Sequence, residues 1–180
     1  MGLDTVEVVM CWEESLGISV PDRDAEHLVT PAKAVDYLSG LVGATDNRSF
    51  PCLGQRAFHR VRRCLTRING IPRERISPDV YLRDLLPDKG NRTSWKQFAH
   101  DLGLGDLVQT MGLPLRGAGS TRIKDIVTQT VARRAQVLVG PHERWSRQQL
   151  RAIVRTSVDY VAGKRDFSDE DKFVGDIGLD

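Results

Sequence analysis

Hydrophobic residues recur at intervals of three and four along most of this chain, which is the spacing of one face of an α-helix. The pattern is clearest in five segments, at approximately 4–16, 30–42, 55–68, 121–138 and 146–161. Alternation of apolar and polar residues, the pattern of a half-buried strand, never extends beyond a few residues. The pattern therefore predicts an all-α protein.

The first of these segments is bounded at both ends by helix signals. Asp4 followed by Glu7 is an acidic variant of the capping box, so we expect a helix to begin there. Gly17 suits the left-handed position that ends many helices. The apolar face predicted for this helix consists of Val6, Val9, Met10 and Leu16.

A hydrophobic connector follows and ends at Pro21, because proline disfavours helix in the residue before it. The range 22–28 is predicted to form one short acidic turn of helix. Thr30 is then placed to cap a further helix, with Pro31 at its first position. The predicted buried side of that helix consists of Val35, Leu38, Leu41 and Val42.

The last 35 residues contain another capped helix and a long loop. Ser146 and Gln149 have the spacing of a capping box, and an apolar stripe continues from there to Gly163. A loop then leads to the run Phe173-Val-Gly-Asp-Ile-Gly-Leu-Asp180.

Several of these short signals occur in the order found in one family. The head, from Asp4-Thr-Val-Glu through Ile18-Ser-Val-Pro-Asp to Val35-Asp-Tyr, resembles the second half of an acyl carrier protein. The tail is similar to that family's first helix and loop, in which F-V-x-D-L-G-x-D precedes the serine that carries the prosthetic group. This resemblance implies an acyl-carrier-like helical bundle formed by residues 1–43 and 146–180. The two pieces would combine by circular permutation within one chain or by exchange in a domain-swapped homodimer.

The serine that would carry 4'-phosphopantetheine in this family is absent at the expected position. Without gaps, the family pattern places Gly2 there, and glycine has no hydroxyl. With a three-residue deletion it places Thr5 there, which has a hydroxyl with a hindering methyl group. We therefore expect a protein without the prosthetic group, with Thr5 as an ordinary first-turn residue, and we keep attachment at Thr5 as the alternative.

The middle of the chain, residues 50–140, is predicted to be a basic helical domain. The helix expected at 55–68 has five arginines, which are Arg56, Arg60, Arg62, Arg63 and Arg67. After it, Tyr81-Leu82-x-Asp84 echoes Phe173-Val174-x-Asp176, so the segment is interpreted as a degenerate carrier-like half. Leu86-Pro87 replaces the family's Gly-x-Asp-Ser, which implies that this copy carries nothing.

Charge divides the chain in the same way. The net formal charge is −7 over 1–46, +12 over 47–151 and −3 over 152–180, although the whole chain has only +2. There is no basic-then-apolar signal at the N-terminus and no long apolar run, so a cytoplasmic location without a membrane span is the expectation.

No catalytic constellation is visible, and an enzyme is not predicted. The four histidines lack the spacing of metal ligands, and so do Cys11, Cys52 and Cys64. Cys11 is interpreted as a packing residue or a free thiol and not as a disulfide partner. Asp176 and Asp180 could hold a divalent cation, but a solvent-facing turn is the favoured interpretation. No metal and no other cofactor are predicted.

Acidic residues on the first helix are the best candidates for binding a partner. The resemblance implies that Asp4, Glu7, Glu13 and Glu14 form a docking face for basic surfaces of acyl-transfer or CoA-related enzymes in fatty acid or polyketide metabolism. A solvated helix face is the alternative, and the chain's own basic middle segment could be the partner. We therefore expect a non-catalytic, carrier-like interaction protein. A working carrier modified at Thr5 and a basic helical nucleic-acid-binding protein are the two alternatives.

Overall fold

The computed structural model describes residues 2–46, 52–86, 92–104, 120–140 and 142–180. Its α-helices are α1 (Leu3–Leu16), α2 (Asp22–Ala25), α3 (Pro31–Val42), α4 (Leu53–Asn69), α5 (Arg92–Leu102), α6 (Ile123–Arg134) and α7 (Arg147–Ala162). Short 3₁₀ turns lie at Arg73–Arg75, Leu82–Asp84 and Ala135–Leu138.

Within the described ranges there is no β-strand, only isolated bridges between Thr45 and Ser146 and between Tyr81 and Arg122. The prediction of an all-α protein is confirmed. No helix in this part of the chain combines the length and the apolar character needed to cross a membrane.

The chain divides into two compact units. The first, here called the head–tail unit, consists of Met1–Leu53 and Val131–Asp180, and the second, the middle unit, is Gly54–Thr130. The head–tail unit thus takes in residues 131–145 in addition to the terminal segments. The domain limits expected from the sequence stay a prediction.

The head–tail unit is built mainly from α1, α3, α7 and the loop after α7. Helix α7 packs against both α1 and α3, with Ile153, Val154 and Val158 in the core between them. The loop after α7 is tied to the head by backbone hydrogen bonds. Phe173 N donates to Val29 O at 3.0 Å, and Ala32 N donates to Asp169 O at 2.8 Å. The core of this unit is therefore made by segments far apart in sequence.

Most of the predicted helix ends are confirmed. Gly17 ends α1 in a left-handed conformation with φ of 67°, which costs glycine nothing. The Thr30 side chain accepts a hydrogen bond from Lys33 N at 3.3 Å, and Pro31 follows it. At the start of α7, Ser146 and Gln149 form the reciprocal capping box.

The predicted start of α1 is wrong. The helix begins at Leu3 with Gly2 as its N-cap, and no side chain of its own caps it. Asp4 lies inside the first turn. The backbone N–H of Asp4 donates to Asp180 Oδ1 at 3.2 Å and that of Thr5 donates to Asp180 O at 3.4 Å. A residue from the tail therefore supplies the acceptors that the capping box was expected to supply.

The predicted apolar faces of α1 and α3 are partly wrong. Val6 and Met10 are 38% and 46% exposed, and Leu41 on α3 is 47% exposed. The residues that α1 buries are Thr5, Val8, Val9, Cys11, Trp12, Ser15 and Leu16. The buried face is centred on Val8 and Trp12. Val9 and Leu16 belong to both sets because they lie on the edge that the predicted and the observed faces share.

In the middle unit, α4, α5 and the first turns of α6 surround one core. Its buried residues include Val61, Leu65, Leu82, Phe98 and Ile123. The Tyr81-Leu82 echo of Phe173-Val174 differs in its burial, since Leu82 is buried and Tyr81 only partly so, whereas Phe173 is buried and Val174 is exposed. Pro87 lies outside the described residues.

Candidate docking face and apolar cavity

Thr5, the alternative attachment residue, lies in the first turn of α1 with only 8% of its surface exposed. Its Oγ1 is 2.8 Å from the carbonyl oxygen of Gly2 and 3.3 Å from that of Asp180. The single hydroxyl proton is thus held between two acceptors. A modifying enzyme would need this hydroxyl at the surface and free to react. In this conformation Thr5 acts as an internal polar residue that ties the tail to α1.

Gly2, the other candidate position, lies directly against the tail. A Cβ built on Gly2 would overlap the carbonyl carbon of Asp180. Because the obstructing atom belongs to the backbone, no side-chain rotation can relieve the overlap. Any residue larger than glycine at this position must therefore displace either the start of α1 or the end of the tail.

The four predicted docking acids have different surroundings. Glu13 Oε1 accepts a hydrogen bond from Val20 N at 2.7 Å, which fixes the connector after α1. Glu14 makes a two-pronged ion pair with Arg133, in which Nε and Nη2 each lie 2.7 Å from a carboxylate oxygen. Glu7 lies 3.9 Å from the same arginine and is partly exposed. Asp4 is half-buried beside Asp180. Only Asp4 and Glu7 therefore keep substantial capacity for an external partner.

Arg133 neutralises this acidic row from inside the head–tail unit. Its side chain is 2% exposed, and its guanidinium lies 5.8 Å from the centroid of the Tyr160 ring. Burial acts to lower the pKa of Arg133, but the hydrogen bond to Glu14 and the nearby acidic groups raise it above its ordinary value. The arginine therefore stays charged and binds Glu14 in the geometry that guanidinium and carboxylate favour.

Burial also changes the pKa of two groups beside Arg133. Burial raises the pKa of the Cys11 thiol to about 12, with Arg133 opposing the change and Glu7 adding to it. Burial likewise raises the pKa of the Tyr160 hydroxyl. A thiol with this pKa is protonated at neutral pH and is a poor nucleophile. The cluster is thus a structural ion-pair site.

The exposed side of α1 carries large apolar side chains. Leu3 is 78% exposed, and it forms one stripe with Val6 and Met10 at intervals of three and four residues. Sequence reasoning missed this stripe because it assigned Val6 and Met10 to the core. Asp4 and Glu7 lie between the members of the stripe in sequence, so this part of α1 combines apolar area with negative charge.

An apolar cavity of about 190 Å³ lies beside the same helix. Its walls include Val8 and Trp12 of α1, Val29 before α3 and Phe173 of the tail, and Thr5 also lines it. Trp12 packs on Phe173 with ring centroids 6.0 Å apart. The Trp12 indole Nε1 is buried without a hydrogen-bond partner among the described residues. The cavity is of the size that accommodates a small apolar group.

The remaining sequence candidates are not brought together. Asp176 Oδ2 accepts a hydrogen bond from Lys172 N at 2.9 Å, while Asp180 Oδ1 accepts one from Asp4 N on α1, so each carboxylate binds a backbone N–H group. In the described ranges no three His, Cys, Asp or Glu side chains come close enough to hold a metal ion.

Comparison with known protein families and solved structures assigns no function to this chain. No model of a known protein family matches the chain, and no solved structure matches it significantly.

Proposed function

We propose that this protein is a non-catalytic, acyl-carrier-like docking protein that lacks the prosthetic group. The head and tail would form a circularly permuted carrier bundle within one chain, and α1 would be the helix that a partner recognises. The partners would be acyl-transfer or CoA-related enzymes with a basic, partly apolar docking surface. Neither a metal nor a bound cofactor is part of this proposal.

The contact between Asp180 and the start of α1 is the observation that carries the proposal. In the family resemblance, the residue after Asp180 is the attachment serine and the next residues open the second helix. Here Asp180 lies against Gly2 and Thr5 of the same chain, which supports the junction that the resemblance implies. The hydroxyl needed for attachment is absent at Gly2 and buried at Thr5.

The exposed stripe of α1 supports docking. Leu3, Val6 and Met10 present apolar area that a partner could remove from water, and Asp4 and Glu7 add negative charge beside it. Glu13 and Glu14, by contrast, are engaged within the chain. The proposed contact surface is therefore the N-terminal half of α1.

Modification can be tested by intact-mass measurement after incubation with CoA and a promiscuous phosphopantetheinyl transferase. We expect no mass gain. An acyl carrier protein that has its serine is the positive control, and it should gain the mass of 4'-phosphopantetheine in the same reaction. A gain that disappears in Thr5→Val would refute the proposal and establish attachment at Thr5.

Docking can be tested by competition. The protein should displace an acyl carrier protein from carrier-dependent acyl-transfer enzymes of a defined panel. The double variant Val6→Ser/Met10→Ser should compete about tenfold less well, since it removes apolar contact area. The control is Leu41→Ser, which changes an equally exposed leucine on α3. Equal loss in the control, or no competition by the unaltered protein at any enzyme of the panel, would contradict the proposal.

The alternative of a working carrier has one observation in its favour. Thr5 lines the apolar cavity, so a group attached there could place a short acyl chain inside it. This alternative requires the Thr5 hydroxyl to leave its two carbonyl acceptors before modification. The mass measurement described above decides between the two functions.

A further inference from the structure

The charged side chains of helix α4 are all positive. Its sequence contains five arginines and one histidine, with no aspartate, glutamate or lysine. The whole middle unit follows the same trend, with 14 lysines and arginines against 7 aspartates and glutamates over residues 54–130. An α-helix with this many cations and no acid repels itself unless an anion lies nearby. Asp101 on α5 lies near the helix, and an external polyanion would add further compensation for the charge of the arginines.

The arginines form a row because of their spacing. Arg56, Arg60, Arg63 and Arg67 follow at intervals of four, three and four residues, which places them on one face of α4. A separate face of the helix, which consists of Ala57, Val61, Cys64 and Leu65, is buried. From Arg56 to Arg67 there are eleven steps along the helix, or about 16 Å at 1.5 Å per residue.

The members of this row are held to different degrees. Arg60 Nε donates to the carbonyl oxygen of Leu102 at 3.1 Å, which fixes its side chain against the end of α5. Arg63 and Arg67 are exposed, and exposed Arg73 and Arg75 follow in the next turn. The most accessible part of the row is therefore the C-terminal end of α4.

We propose that the arginine row of α4 binds the phosphodiester backbone of a nucleic acid, independently of the docking face on α1. A duplex carries one charge per about 1.7 Å, so the row faces on the order of ten phosphate charges. All cations of the row are arginines, whose forked guanidinium matches phosphate geometry. The apolar face of α4 is committed to the core, so the helix cannot insert into a bilayer as a membrane-bound amphipathic helix does. The contact is with backbone charge and does not depend on base sequence.

The test measures fluorescence anisotropy of labelled duplex DNA and single-stranded RNA of unrelated sequences with the full chain. We expect binding to both at 50 mM salt and about a hundredfold weaker duplex binding at 200 mM, as about four phosphate contacts require. Arg63→Gln/Arg67→Gln should weaken duplex binding at least about tenfold and lower the slope of log affinity against log salt by about two. Arg63→Lys/Arg67→Lys should restore most of the affinity, which separates charge from folding.

The matched control is Lys33→Gln/Lys164→Gln, which removes two exposed positive charges from the head–tail unit. It should leave affinity and salt slope within about twofold of the unaltered chain. The proposal is overturned by absence of binding at 50 mM salt, or by an equal loss in this control. Polyglutamate tests whether an acidic protein is the ligand instead. If it displaces the labelled duplex at the same charge concentration as unlabelled nucleic acid does, the proposal is also overturned, because the row would then bind an acidic protein.

Discussion

Arg133 and Glu14 form a two-pronged ion pair across 119 residues of sequence, with both nitrogen–oxygen distances at 2.7 Å. The arginine is almost fully buried and the glutamate is about one-third exposed. Removing one member of such a pair leaves the other charged and poorly solvated, which costs more than the pair itself contributes. The pair therefore fixes α1 against the last turn of α6.

This relationship gives the first prediction. Glu14→Gln should lower the free energy of unfolding by about 2 to 3 kcal/mol, because Arg133 loses its carboxylate partner while buried. Glu7→Gln is the control, since Glu7 lies 3.9 Å from the arginine and is more exposed, and it should cost less than about 0.5 kcal/mol. Urea unfolding measures both values.

The double variant Glu14→Met/Arg133→Met tests the same explanation from the other side. Replacing both charges by apolar groups should recover more than half of the stability lost in Glu14→Gln. If the double variant is instead less stable than both Glu14→Gln and Glu7→Gln, the pair contributes net stability and the desolvation explanation is wrong.

Local helix signals could be predicted from the sequence, whereas the pair could not. The Thr30 cap and the Ser146–Gln149 capping box each depend on residues three positions apart, so the chemistry is visible in a short window. Arg133 and Glu14 meet only because the fold brings two distant segments together. Nothing in the neighbourhood of either residue indicates its partner.

The misassigned face of α1 has a related cause. Val6, Val9, Met10 and Leu16 fit a helical period as well as the residues that are buried, and periodicity alone does not identify the face that meets a neighbouring helix. Trp12 was the available signal, since a large aromatic side chain on α1 is a strong candidate for burial. Centring the face on Trp12 would have left Val6 and Met10 at the surface.

The second prediction concerns Gly2. Gly2→Ala should destabilise the head–tail unit by about 1 to 3 kcal/mol, because the added methyl group overlaps backbone atoms of Asp180. Gly40→Ala on α3 is the matched control, since a Cβ there meets nothing within 4 Å. That change should stabilise the protein by up to about 1 kcal/mol through helix propensity. Thermal unfolding should thus shift in opposite directions, and a shift in the same direction would contradict the Asp180 contact.

The third prediction is a loss of stability at high pH through Cys11. Its pKa is raised from about 9 to about 12 in the folded protein, so the unfolded chain loses the thiol proton first. The stabilisation is fully present below pH 9 and is lost as pH rises towards 12, with a slope of up to about 1.4 kcal/mol per pH unit. Tyr160, whose pKa is also raised by burial, adds to the slope above pH 10.

Urea midpoints measured from pH 8 to pH 11 test this dependence. Cys11→Ala should make the decline above pH 9 shallower without abolishing it, because burial also raises the pKa of Cys64 to about 11. Cys52→Ala, at an exposed thiol, should leave the curve unchanged. Thiol labelling of the folded protein gives a second measurement, with rapid reaction at Cys52 and protection of Cys11. Rapid labelling of Cys11 at pH 8 would show that the cluster is open to solvent.

The fourth prediction concerns Trp12 and the apolar cavity. Trp12→Ala removes a buried ring that packs on Phe173 and should cost about 3 to 5 kcal/mol, because the lost contacts enlarge an existing cavity. Trp12→Phe should cost less than about 1.5 kcal/mol, since the indole Nε1 has no partner to lose within the described part of the chain.

Added indole should raise the melting temperature of Trp12→Ala by filling the space. Trp145→Ala, at a half-buried tryptophan, is the control and should show neither the large loss nor the rescue. A rescue of equal size in Trp145→Ala would mean that indole acts elsewhere on the protein and that the cavity beside α1 is not its site.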